Sequence, residues 1–424
     1  MLDRQAWVLF LVLAVLFLVL NAGAYKGYFQ DDDLDTMGWA PFVSSTEFLE
    51  ALVSPRFSRT NFRPAAHYYY HVMTTFFPLD FPKFIIPLQF IFLLNVWMLW
   101  MAGRKLDLGT MPIFIGVVFY MFHAALLDAY WKPMYVFDLL CTTFCLLSVL
   151  LWLHDVWILS FLAFWFAYKC KEPAIMLPLV LAGCEWFLGR RRWKQLVPFF
   201  LVSVSFGVQG LLFNPNKDND YTFRFTAPAL WKTISFYAGK LFFLRWAGLI
   251  LVPLPFLVRD RRLWLGALAA IFFLGPLLFL PGRLFAVYWC LPLTGVAIML
   301  MALASRYQTA AAVFLLLWLP WNLIQFHRER TEVLRLASGN RAFVSELERF
   351  ARTAPNQRSF VYDGVPEGFH SWGVSGALTC IYRVGGLRVL YIDEPGARRL
   401  VETGAAVLLH WDSSARRLAI AAAR

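Results

Sequence analysis

The chain has 424 residues, is 60% hydrophobic and 18% aromatic, and carries only 16% charged residues, against roughly 25% in soluble domains. That composition excludes an ordinary soluble globular protein and points to a multispanning membrane protein. The net charge of +12 is dispersed over short loops and the C-terminal segment rather than gathered in one stripe, which sets nucleic acid aside as a partner.

Apolar runs of about 20 residues, enough to cross the hydrocarbon core, recur through residue 325. They predict about eleven helices, at 6–23, 82–102, 111–127, 134–153, 155–169, 173–189, 196–213, 241–258, 263–281, 285–304 and 308–325. "WVLFLVLAVLFLVL" reads as a retained first helix, because further spans follow it. With the N-terminus inside, the cytoplasmic turns carry Arg104 and Lys105, then "RRRWK" (190–194), "RDRR" (259–262) and Arg306, as the positive-inside rule requires. Three loops too long or too polar to be simple turns, 24–81, 128–133 and 214–240, then fall outside, with "YKCKEP" (168–173) and "PGR" (281–283). Six cysteines without a C-x-x-C pair read as small core residues rather than a disulfide or metal framework.

After residue 325 the pattern turns charged and mixed. A helix-like stretch, "HRERTEVLRLASGNRAFVSELERFARTA", precedes the β-rich runs "SFVYDG", "LRVLYID" and "AAVLLHWD", which predict a small α+β domain. The chain is thus expected to divide into a transmembrane domain, 1–325, with a large first external loop, 24–81, and a small soluble α+β domain, 326–424, outside the cytoplasm.

The chemistry-bearing residues crowd toward the outer face. Asp31, Asp32 and Asp33, with Asp35 behind them, lie where the first external loop leaves the membrane. Carboxylates this close raise one another's pKa unless a cation or hydrogen bonds offset the repulsion, so the cluster suits a general base or a hard-metal site. "NFRPAAHYYYHV" (61–72) reads as an amphipathic helix opened by Pro64, with His67 and His71 on one face; without H-E-x-x-H it is an interfacial helix before it is a zinc site. "FHAALLDAYWKPMYVFDLL" (122–140) places His123, Asp128 and Asp138 around an outer turn. "YKCKEPAIMLP" offers Lys171 beside Glu172, an interfacial ion pair or a phosphate holder. Arg283, and Arg245 in the eighth span, suit an anionic lipid headgroup or simple snorkelling. "DGVPEGFHSWG" (363–373), with Glu367 and His370, reads as a structured turn before a contact loop.

In order, these segments resemble the GT-C superfamily of membrane glycosyltransferases, and within it the tetratricopeptide-bearing O-mannosyltransferases and their bacterial relatives. "FQDDD" matches their aromatic followed by Asp-Asp, with Asp32 and Asp33 in register, and "NFRPAAHYYY" matches a Tyr-Arg-Pro-Leu-like segment containing Arg63. His123, Asp128 and "DLL" from Asp138 match a His-Pro-x-His-x-Glu turn and the Asp-Leu-Leu ten residues on, with Ala124 and Leu126 replacing the proline and second histidine. Lys171 and Glu172 match a Ser-Lys-Glu run, with Cys170 for serine; Arg283, Tyr288 and Pro292 loosely match Arg-x-x-Tyr-x-Pro. The likeness covers most of residues 24–300, and the tetratricopeptide tail is absent.

The resemblance implies a glycosyltransferase in the bacterial inner membrane, taking sugar from a polyprenyl-phosphate-linked donor to an acceptor hydroxyl of a protein, lipid or envelope glycan. Asp32 and Asp33 are then the catalytic candidates. Asp128, Asp138, His123 and Glu172 orient sugar and acceptor, and Lys171, Arg283 and Arg63 hold the donor phosphate. The superfamily has metal-dependent and metal-independent branches, which leaves open a divalent ion such as Mg or Mn on Asp32, Asp33 and Asp128. The rival class is a transporter or lipid flippase using the outer-face acids, which predicts mid-membrane charge and paired broken helices; a non-catalytic scaffold is the third reading.

Overall fold

The computed structural model describes residues 4–56, 62–213 and 220–421. Its first helix, α1 (Arg4–Leu20), leaves Trp7, Leu11, Val15 and Val19 exposed, which is stable where lipid rather than water covers them. Three shorter helices then fold within the first external loop: α2 (Asp33–Trp39), α3 (Ser45–Val53) and α4 (Pro64–Phe76). A capping box starts α3, with Ser44 and Glu47 bonding each other's backbone N–H groups, and Pro64 opens α4 at a position that needs no N–H.

The bundle continues with α5 (Phe81–Lys105), α6 (Thr110–Met121), α7 (Leu127–Trp131), α8 (Val136–Leu153), α9 (Trp157–Cys170), α10 (Leu177–Leu188), α11 (Trp193–Phe213), α12 (Ala227–Phe242), α13 (Leu254–Val258), α14 (Arg261–Leu274), α15 (Pro292–Arg306) and α16 (Gln308–Thr353). The chain is an integral membrane protein. Among the described residues, six helical segments are long and apolar enough to cross a bilayer, or eight if two bent pairs each count as one span. The eleven predicted runs do not all become full-length helices. The run at 241–258 is split, because Phe243 and Trp246 take left-handed backbone (φ 55° and 64°) and bend the chain by 82° after α12. Much of the predicted outer loop 214–240 is α12 itself.

The other bent pair, Thr110–Met121 with Ala124–Trp131, turns by 53°. A break inside an apolar bundle frees backbone groups that no water can satisfy. Here side chains satisfy them: Asn322 of α16 bonds Phe122 O (2.6 Å) and Ala124 N (2.9 Å), and His123 Nδ1 accepts from Ala125 N (3.2 Å).

Basic turns gather at one end of the bundle, where Arg262 reaches Asp107 O and Arg306 reaches Val258 O. The long helices α5 and α8 begin at the opposite end, which is also where α9 finishes. Composition changes at 325/326, yet α16 runs through that point as one helix of 46 residues. Its charged half buries Val333, Ala337, Phe343, Val344 and Leu347.

Beyond α16 lie β1 (Ser359–Asp363), α17 (Gly373–Tyr382), β2 (Arg388–Tyr391), α18 (Ala397–Glu402), β3 (Val407–Asp412) and β4 (Arg417–Ala421). The three predicted strands form, and β4 joins them. Strand order is β2-β1-β3-β4; β1 is parallel to β2 and β3, and β4 is antiparallel to β3. The sheet reverses direction of winding at β1, whose C-terminal end leads into loop 364–372, the usual place for a functional loop in such sheets.

Candidate active site

The three consecutive aspartates face three ways. Asp33 opens α2 and is wholly buried, with Oδ1 accepting from the Tyr70 hydroxyl (2.6 Å) and Oδ2 from Gln30 N–H (2.9 Å). Burial pushes its pKa up to about 7, against the pull of those two hydrogen bonds. Asp31 sits in left-handed backbone (φ 51°), a conformation that costs a non-glycine residue about 1 kcal/mol or more. The twist sends its carboxylate toward Lys132, 3.4 Å away, and Lys132 lies 3.5 Å from Asp128.

Asp32, with 48% of its side chain exposed, points outward between its neighbours. Its Oδ1 accepts from the Trp372 indole N–H at 3.0 Å, and His370 Nδ1 stands 3.7 Å from the same oxygen. Both partners belong to loop 364–372. Of the two predicted catalytic aspartates, Asp32 therefore faces solvent, and Asp33 holds α2 onto α4.

A second group lies where α8 and α9 meet the same end of the bundle. Lys171 Nζ is 2.6 Å from Asp138 Oδ2 and 4.5 Å above the Tyr288 ring. Burial works against the Lys171 charge, but the adjacent Asp138 outweighs it and holds the ammonium above its usual pKa. Arg63 forks onto Glu172 with bonds of 2.9 and 3.1 Å, and that guanidinium keeps Glu172 below the usual carboxylate range despite burial. Tyr135 joins the groups, lying within electrostatic reach of Asp128, Asp31, Asp138 and Tyr288.

Arg283 differs from the other two predicted phosphate binders. Lys171 and Arg63 are already ion-paired, whereas Arg283 has no carboxylate partner among the described residues. It touches the Tyr288 hydroxyl (3.3 Å) and lies over the rings of Tyr221 and Phe285. Its Nε is buried and has no hydrogen-bond partner among the described residues, and Asp32 is within its electrostatic reach. An orphaned guanidinium edge is a costly thing to bury; an anionic ligand would complete it.

Beside Arg63 a cleft of about 610 Å³ opens between α3, α4 and the end of α9, lined by Trp39, Phe62, Arg63, Tyr168, Lys169 and Glu172. Lys169 closes its floor by donating to Ala51 O and Ser54 O.

Several predicted site residues are not part of this group. His123, fully buried, has Nε2 on Leu241 O (2.9 Å) and its ring against Phe119, Phe243 and Trp318; it caps the helix break. His67 accepts from Arg63 N–H (2.9 Å), and His71 sits 3.0 Å from Ala40 O, so the pair does not converge on a metal. Burial depresses His67 to about 3, with Arg63 adding to the effect. Arg245 lies over Trp246.

The ion sketched for Asp32, Asp33 and Asp128 does not fit either. Both oxygens of Asp33 are committed inward, and among the described residues no group of three or more His, Cys, Asp or Glu is arranged to hold a metal. Conversely, Tyr70, Lys132 and Trp372 enter the site unforeseen, and His370, read in the sequence as part of a structured turn, stands 3.7 Å from Asp32. Lys132 was readable, four residues after Asp128 on a helix; Trp372 was not, because 340 residues separate it from Asp32.

A cluster of acids and cations thus caps one end of a bundle of apolar helices, beneath the headpiece formed by residues 326–424, and the fold is GT-C-like, as in the solved structures it resembles. The chain is similar over almost its whole length to ArnT from Cupriavidus metallidurans, in crystal structures bound to undecaprenyl phosphate and in the apo state. Both cover 97% of this chain and 94% of theirs with a TM-score of 0.54, at 13% and 12% sequence identity. No family model matches the sequence, and no curated protein matches it. The likeness is therefore one of fold.

Proposed function

We propose that the protein is a glycosyltransferase that moves a sugar from a polyprenyl-phosphate-linked donor to an acceptor hydroxyl on the outer face of the bacterial inner membrane. One observation carries this reading: a solvent-facing carboxylate, Asp32, stands within electrostatic reach of Arg283, a guanidinium with no carboxylate partner among the described residues. The shared fold supports it, since the similar ArnT was crystallised with undecaprenyl phosphate. The basic turns at the opposite end support this sidedness, since the positive-inside rule favours them in the cytoplasm. Residues 326–424 then stand outside, over the site.

In the reaction, the acceptor oxygen attacks the anomeric carbon while Asp32 takes its proton. The bond from that carbon to the phosphate oxygen breaks, and its electron pair leaves with the polyprenyl phosphate. Arg283 meets the charge that develops on that phosphate, with Lys171 and Arg63 beside it; stabilisation of this kind is usually the largest single catalytic term. Asp138 and Glu172 hold those two cations in place. Asp128, through Lys132, holds Asp31 clear of Asp32 and borders the sugar.

Asp32→Asn is expected to lower sugar transfer in membranes about 10²- to 10⁴-fold, the range for removing a general base. Unchanged transfer would sink the proposal. The transporter reading finds its broken helices in the two bent pairs, but His123 and Asn322 seal the first with fixed hydrogen bonds and no acid. Movement of lipid across sealed vesicles without glycosidic bond formation would decide for it.

A further inference from the structure

The mechanism leaves Trp372 and His370 unused, although both come from the far end of the sequence to stand against Asp32. We propose that Trp372 is a positioning residue for Asp32, so that the headpiece completes the active site; this rests on Asp32 being the base.

Three observations lead there. The Trp372 indole N–H donates to Asp32 Oδ1 at 3.0 Å, and among the described residues Oδ2 accepts no hydrogen bond. One oxygen is thus pinned, and the other is turned to an incoming hydroxyl. The indole is itself held, edge to face with His370 at 4.4 Å between ring centroids, in the loop that leaves the centre of the sheet.

The loop cannot drift away, because α17, which follows it, is pressed onto α2. A Cβ at Gly376 would collide with Leu34 O, and one at Gly38 would come within 2.6 Å of Gly376 Cα. Only glycine permits helices to approach so closely. Further bonds fix the same junction: Gln30 Nε2 to Val333 O and Asn340 Nδ2 to Phe29 O, both 2.9 Å, and Arg341 to Gly27 O at 2.6 Å. The segment bearing the aspartates is therefore clamped to the headpiece on both sides of Asp32. A carboxylate set within a fraction of an ångström for attack gains rate through orientation rather than through substrate affinity.

The test uses the full chain in membranes with undecaprenyl-phosphate monosaccharides (hexose, N-acetylhexosamine and pentose), reading release of undecaprenyl phosphate. Trp372→Phe, which keeps the ring and removes the N–H, is expected to lower kcat about ten-fold with KM for the donor within about two-fold. Trp372→His places Nε2 where the indole nitrogen stood and should recover part of that rate. In an Asp32→Asn background, Trp372→Phe should have no further effect. Full activity of Trp372→Phe, equal rates for the Phe and His variants, or the same ten-fold loss in the Asp32→Asn background would overturn the inference. Full activity of Asp32→Asn alone would overturn the catalytic reading instead.

Discussion

Asp33 and His67 illustrate how burial, more than residue type, assigns roles at the scale of single side chains. The Asp33 pKa is raised in the folded protein, so folding binds its proton, and stability falls as pH rises from about 4 to about 7. For His67 the pKa is depressed to about 3, so stability falls as pH drops from about 6.5 toward 3. Each displacement corresponds to on the order of 4 kcal/mol, and between pH 4 and 6.5 the two oppose each other. Thermal unfolding in detergent should therefore vary little across that window in the native protein. Asp33→Asn, which can still accept from Tyr70, should expose an acid-side loss of stability, and His67→Gln an alkaline-side loss; parallel profiles for all three proteins would contradict the assignment. Arg283→Lys keeps a charge but loses the planar fork, and it is expected to slow transfer at least ten-fold while Arg245→Lys has little effect. The acids and cations were legible in the sequence because short motifs carry them in a fixed order. Which member of "DDD" faces solvent was not, since it depends on Tyr70 and on the left-handed turn at Asp31.

At the scale of elements, hydrophobic run length foretold helices well where they are straight and poorly where they break. Nothing in "YAGKLFFLRWAGLILVPLP" marks Phe243 and Trp246 as the residues that bend the chain, because left-handed backbone at aromatic positions has no compositional signature. His123 shows the same limit from the other side, since its spacing fits a catalytic turn while its surroundings make it a plug in a helix break. Asn322 shares that duty, so Asn322→Leu should strand the Phe122 carbonyl and Ala124 N–H and cost roughly 1–3 kcal/mol for each buried group left unpaired, seen as a lowered Tm. The contact of α17 with α2 is as exacting. Gly376→Ala should prise the headpiece from the aspartate segment, reducing transfer to near the level of Asp32→Asn while leaving the membrane helices folded. Faster proteolysis beyond residue 353 would report the detachment.

Taken as a whole, the molecule is a helical bundle and a small sheet joined by the continuous helix α16 and clamped together again where α17 meets α2. The sequence announces a change of environment at 325/326, but backbone hydrogen bonding ignores it, and α16 continues for about 69 Å at 1.5 Å per residue. A single residue inserted between Arg328 and Thr331 would rotate everything beyond it by about 100°. The expected result is a protein that inserts normally, keeps its sheet and loses transfer, and recovery on further insertion to a full turn would follow the helical period. Such a rod also carries information from the lipid. Where a bilayer is thinner than the apolar part of α16, residues 308–325 or about 27 Å at 1.5 Å per residue, the helix responds by tilting, and α16 transmits its tilt to the loop that sets Asp32. Turnover should then vary with acyl-chain length in reconstituted vesicles, and less so once Trp372 no longer holds the carboxylate, making the thickness of the bilayer a setting of the enzyme's rate.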